Sequence, residues 1–210
     1  MAGARELQDE VLDIRRRVLG PEDPLTLTSM NNLALTLRGQ ADLSGARKLQ
    51  EETLAIQRRV LGPEHPDTLT SINNLALTMK AQGDLEGARK LQEEVLAIQR
   101  RVQGPEHPAT LTAMNNLAST LQAQGDLAGA RRMHEETLEI RSRVLGPEHP
   151  DTSVSAWWLC VTLHNLGERA AARAVLERDL LWVLDRDPAA LGADQRKARE
   201  YVAQEVKKSG

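Results

Sequence analysis

Gly-Pro-Glu recurs at Gly20, Gly62, Gly104 and Gly146, each 42 residues after the last, and the residues between these markers recur with it. Residues 20–61 and 62–103 are identical at about three-quarters of positions, and exchanges such as Met30/Ile72 and Leu37/Met79 preserve character. A chain written this way cannot close around a single-copy enzyme core. Each unit leaves a hydrophobic face that only the next unit can cover, so the units must stack.

Within a unit the apolar residues follow a helical period twice. Leu69, Ile72, Leu75, Ala76 and Met79 share one face of a first helix, A, and Leu85, Ala88, Leu91, Val95, Ile98 and Val102 share one face of a second, B. Between them Gln82, Gly83 and Asp84 offer a glycine to end A and an aspartate to cap B. Gly104-Pro105 stops B, and Pro108 suits the first turn of the next A helix. Ala34, Ala76 and Ala118 allow close approach of helices at the same place in each copy. With no Phe and one Tyr, the core must be aliphatic, which favours helix-on-helix packing over strands. The reading is an all-α, right-handed superhelical solenoid forming one domain over 1–210. It comprises a lone B helix at 3–19, hairpins at 24–61, 66–103 and 108–145, a divergent hairpin at 150–186, and a C-terminal capping helix at 189–207.

Several function classes lose their support. A net charge of −3 gives no general attraction to nucleic acid or an acidic membrane surface. No apolar run approaches the roughly 20 residues of a membrane span. The single cysteine, Cys160, permits no internal disulfide, so a cytoplasmic protein is expected, and its alignment with Ala118 marks it as an inert buried thiol. His65, His107 and His149 fall one per repeat, too far apart to share a metal, and read as residues that start A helices. The arginines that recur late in helix B (Arg15, Arg16 and Arg17; Arg58 and Arg59; Arg100 and Arg101) read as compensation of the helix dipole. No catalytic constellation, metal site or cofactor site stands apart from the repeat; the expectation is a non-enzyme without cofactors.

The run His65-Pro66-Asp67-Thr68 through Asn73-Asn74-Leu75-Ala76, then Gly83-Asp84-Leu85-Glu86-Gly87-Ala88 and Leu96-Ala97-Ile98, resembles the 42-residue tetratricopeptide repeat of the kinesin light chain and nephrocystin type. The resemblance implies a helical scaffold that binds a peptide or helix of a partner protein in a concave groove lined by helix A. Leu37, Met79 and Leu121 stand where this family usually places aromatic residues, so its recognition chemistry need not carry over. Near-identical tandem copies are also similar to bacterial arrays that form the sensing arm of signalling ATPases. The alternative is therefore a structural or self-assembly arm acting through its ends.

The repeat aligns residues into ladders. Asn31, Asn73 and Asn115 form one, and Asn32, Asn74 and Asn116 another, beside the core stripe of helix A. Asn offers one acceptor and two donors, so rows of it about 10 Å apart suit the backbone of a bound peptide; one of each pair could equally satisfy a neighbouring helix end. In the fourth copy Trp157 and Trp158 replace them, as an anchor for a ligand or as part of a cap. Arg38 and Lys80 make the N-terminal part of the groove positive, which favours an acidic peptide. At the N-terminus, Leu7, Val11 and Ile14 align with Leu49, Thr53 and Ile56 of a complete copy, yet the helix A that would cover them is missing. Either the chain is cut from a longer array, or this helix docks on a second copy, giving a homodimer or end-to-end stacking.

Overall fold

The structure, a computed structural model, describes residues 2–209. Ten α-helices carry the described residues: α1 (Ala2–Val18), α2 (Pro24–Gly39), α3 (Leu43–Val60), α4 (Pro66–Ala81), α5 (Leu85–Val102), α6 (Pro108–Gln124), α7 (Leu127–Leu145), α8 (Pro150–Asn165), α9 (Arg169–Asp179) and α10 (Ala193–Ser209). There is no strand among the described residues. The even-numbered helices α2 to α8 are A helices; α1 and the odd-numbered ones that follow are B helices. The residues divide into two compact units, Met1–Ile98 and Gln99–Gly210.

Local chemistry starts each A helix in the same way. Proline fills the first turn, and the residue before it caps: Asp23 accepts the Leu25 N–H at 2.8 Å, while Nδ1 of His65, His107 and His149 accepts the N–H two residues on at 3.2 Å. Asp42, Asp84 and Asp126 cap B helices by accepting the amide N–H of Gly45, Gly87 and Gly129. The turn from A to B requires a left-handed residue, supplied by Gly83, Gly125 and Gly167 but by Ala41 (φ 63°) in the first copy.

In the first unit, Leu12, Leu27, Met30, Leu33, Leu37 and Ala46 form a core on which Leu49 and Ile56 rest. In the second, Leu138, Leu159, Leu163, Leu176, Leu180 and Val202 belong to a larger one, with Trp157, Trp182 and Tyr201 packed against it. Trp182 is half-buried, its indole N–H donating to the Asp179 carbonyl at 2.9 Å and its ring under Arg186. Val102, expected on the buried stripe, is exposed, as are Val60 and Val18 at the same place. They fall in the last turn of the B helix, where Gln57 and Gln99 are the buried residues instead.

The C-terminal segment departs from the expected single helix at 189–207. After α9, which has 11 residues where other B helices have 17 to 19, the chain makes 3-10 turns at Leu181–Leu184 and Pro188–Ala190 before α10 begins. Asp187 holds the second turn by accepting the Ala189 N–H at 2.9 Å. Arg199 of α10 reaches back to the carbonyls of Val183 and Leu184.

The late arginines of the B helices do more than oppose a dipole. Arg16 pairs with Glu52 at 2.8 Å, Arg58 with Glu94 at 2.7 Å and Arg100 with Glu136 at 2.7 Å, always from one B helix to the next. Arg59 to Glu22 and Arg143 to Glu106, each 2.7 Å, tie a B helix to the turn before its own A helix. Exposed pairs of this kind contribute about 0.2–1 kcal/mol each, so they set register more than they set stability.

Candidate partner-binding site

Helix A carries the expected site residues at one register, and burial divides them. In the first unit, Asn31, Asn73 and Asn74 are half-buried and Asn32 is exposed. Oδ1 of Asn31 accepts from the Ser71 hydroxyl at 3.2 Å, joining α2 to α4 side chain to side chain rather than at a helix end. Oδ1 of Asn73 is buried without a protein partner, so the Nδ2 end of that planar amide points the other way. The same holds for Asn115 in the second unit. Ser155 cannot serve Asn115 as Ser71 serves Asn31, because its hydroxyl donates to the Asp151 carbonyl and accepts from Arg141.

Arg38 and Lys80 lie two turns along from the first asparagines of α2 and α4, both half-buried. Nη1 of Arg38 is buried with no hydrogen-bond partner, and burial pushes the Lys80 ammonium below its ordinary range. Both cations are thus partly desolvated, which strengthens their pull on a nearby anion.

In the second unit, Trp157 and Trp158 form a half-buried aromatic pair with centroids 4.7 Å apart. Trp157 packs on the core, its indole Nε1 buried without a partner, and Trp158 stacks on His134 with centroids 6.4 Å apart and planes 11° from parallel. His134 is the one histidine of the five that is buried. Its alignment with Gln50 and Gln92 marks a buried polar column and was the signal available. Cys160 is fully buried, donates to the Ala172 carbonyl at 3.4 Å, and has its thiol pushed up to about 12 by burial.

An open cleft of about 710 Å³ lies in the second unit, floored by Leu138, Leu159 and Val175 and edged by Glu139, Ser142 and Arg178. It opens where the B-to-B ion pair stops: Ser142 and Arg178 occupy the positions of Arg100 and Glu136, and Arg178 pairs instead with Asp179 at 2.8 Å. Leu7, Val11 and Ile14 are exposed on α1, the last at 44%. Among the described residues, no group of three or more His, Cys, Asp or Glu side chains could hold a metal, and no helix is long and apolar enough to cross a membrane.

Two models of the tetratricopeptide repeat match the chain, one over residues 72–142 and 110–178, the other over residues 1–25 and 26–67. No curated protein matches. Among solved structures, the chain is similar to the nearly identical TPR-like repeats of a Podosopora anserina protein named for kinesin light chain. There the identity is 33% and the TM-score 0.76, with 84% of this chain and 83% of that one covered. A second crystal structure of that protein gives 31% identity and a TM-score of 0.80 over 88% of this chain and 87% of that one. BtubC (BKLC) from P. vanneervenii is 26% identical, with a TM-score of 0.74 over 85% of this chain and 71% of that one. With repeat models covering most of its length and a solved relative at one-third identity, the chain belongs to the tetratricopeptide repeat family, a helical-solenoid class of protein-interaction scaffolds.

Proposed function

We propose that this scaffold binds a peptide or helix of a partner protein along its helix-A faces, with acidic segments preferred. The observation that carries the reading is the recurrence of half-exposed asparagines at one register, with Asn73 and Asn115 each turning one end of the amide inward and the other outward. Two donors per outward Nδ2 suit the carbonyls of an extended backbone, whatever its side chains. Arg38 and Lys80 supply the acidic preference in the first unit, and Trp157 and Trp158 offer a ring surface for an apolar side chain in the second. The setting is the cytoplasm, which suits a chain whose single cysteine is buried and unpaired.

The test begins with affinity purification of the partner and continues with calorimetric titration of the segment it contributes. Asn73→Ala with Asn115→Ala should weaken binding by about 1–3 kcal/mol while leaving the melting temperature close to that of the parent. Unchanged binding with a lowered melting temperature would show the asparagines to be structural and end the proposal. A self-assembly arm is the alternative, and the exposed apolar stripe on α1 favours it.

A further inference from the structure

Leu7, Val11, Ile14 and Val18 follow one another at spacings of four, three and four along α1, and all four are exposed, Leu7 at 64% and Val18 at 68%. This is the spacing of a coiled-coil seam. It is separate from the face that meets α2, where Leu12 is buried and Arg15 donates to the Leu25 carbonyl and the Ser29 hydroxyl. The aligned residues of α3 show what the seam is built to receive: Leu49 and Ile56 pack into the core of their unit. Two charges flank the seam on its outer side, Glu10 and Arg17. Their counterparts in α3 are both engaged, Glu52 with Arg16 and Arg59 with Glu22, whereas no ion pair engages Glu10 or Arg17 among the described residues.

We propose that α1 pairs with α1 of a second copy, antiparallel about a twofold axis between Leu12 and Asp13. Leu7 then faces the second copy's Val18, and Val11 faces its Ile14, so four apolar layers close with no void in the pattern. In an antiparallel pair the positions just before the seam residues Val11 and Val18 face each other across the interface. These are Glu10 and Arg17, so each copy's glutamate meets the other's arginine twice over. The opposite flank holds Gln8, which is neutral, and Arg15, which is already bonded within its own unit. The arrangement is self-complementary, as a closed dimer requires.

End-to-end stacking lacks this fit. A B helix docking on Glu10 in the manner of the repeat needs arginine at the Arg100 position, and the fourth copy has Leu184 there.

Sedimentation velocity of the 210-residue chain over a range of concentrations tests the pairing. A single monomer–dimer equilibrium is expected, and Leu7→Glu with Ile14→Glu should leave only monomer at unchanged helical circular dichroism. Glu10→Arg alone or Arg17→Glu alone should raise the dimer dissociation constant on the order of tenfold, since the twofold axis counts each change twice. The double reversal, Glu10→Arg with Arg17→Glu, should restore it. A chain monomeric at every concentration, a dimer indifferent to the seam changes, a double reversal that fails to rescue, or a series of ever larger species would each overturn the proposal.

Discussion

His134 offers a direct probe of how the second unit is packed. The imidazole is 1% exposed, both ring nitrogens lack a protein partner, and its one close neighbour of like shape is the Trp158 ring. Burial alone drives its pKa from 6.5 down to about 4. Above pH 6.5 the folded and unfolded chains both hold it neutral, and it adds no pH dependence. Between pH 6.5 and about 4 the unfolded chain takes up a proton that the folded chain refuses, so stability falls as the pH falls. Below about 4 both states are protonated and the dependence ends. Integrated over that window, the loss is about 3 kcal/mol.

Carboxyl groups of the unfolded chain take up protons over part of the same range, so the measurement must be a difference. Gln stands at the aligned positions 50 and 92, equally buried, and cannot titrate. Urea unfolding of the parent and of His134→Gln at pH 7.5 and pH 4.5, followed by tryptophan emission, isolates the histidine. All three tryptophans lie in the second unit, so the signal reports that unit even if the repeats unfold in steps. The parent should lose about 2–3 kcal/mol more than the variant on acidification. Parallel pH profiles, or a His134 ring resonance titrating near 6.5 in the folded protein, would refute the reasoning.

Two further outcomes follow from single positions. Ala41 holds a left-handed backbone that the later copies give to glycine, so Ala41→Gly should raise unfolding free energy by about 1 kcal/mol, read as a shifted denaturant midpoint without a change in slope. Cys160, buried and far from thiolate at neutral pH, should resist a thiol reagent in the folded protein and react at a rate set by unfolding; prompt labelling of the native chain would contradict its placement.

The helices and their starts were legible because the repeat states them several times. A proline after Asp23, His65, His107 or His149, an aspartate after Gly83, and an apolar period that changes helix at that turn are local signals, and local bonding answers them. Two things were not local. The arginines late in helix B look like dipole compensation when a helix is read alone; their partners lie 36 or 37 residues away, and only the stacking of copies brings them within reach. The C-terminal segment lost the period that made the rest readable, so the end of α9 at Asp179 and the two 3-10 turns were hidden within a hairpin read as running to 186 and a capping helix read as starting at 189. For the site, the register of the asparagines was readable. The direction in which each amide turns was not, because it depends on which hydroxyls are already taken, as Ser155 is by Asp151 and Arg141.

Repetition also gives weight to the places where it breaks, because an unforced change in one copy leaves its neighbours unsatisfied. Replacing the buried glutamine of the Gln92 position by His134 exchanges an amide for a ring with two polar edges and flat apolar faces. Such a ring is poorly served beside the asparagine of the Asn116 position, and the second unit has Trp158 there instead, stacked on it. Trp157 then meets Trp158 at a tilt of 38° and carries the apolar surface into the core that α10 completes through Val202. The same logic covers the charged face: with Ser142 in place of arginine, a glutamate at 178 would have lost its partner, and the chain has Arg178 bonded to Asp179. Each departure is thus a matched pair rather than a single drift, and both pairs lie next to the last hairpin. The missing ion pair of the second opens the cleft beside α9, so the junction of the third and fourth copies holds the features that set it apart from interchangeable units.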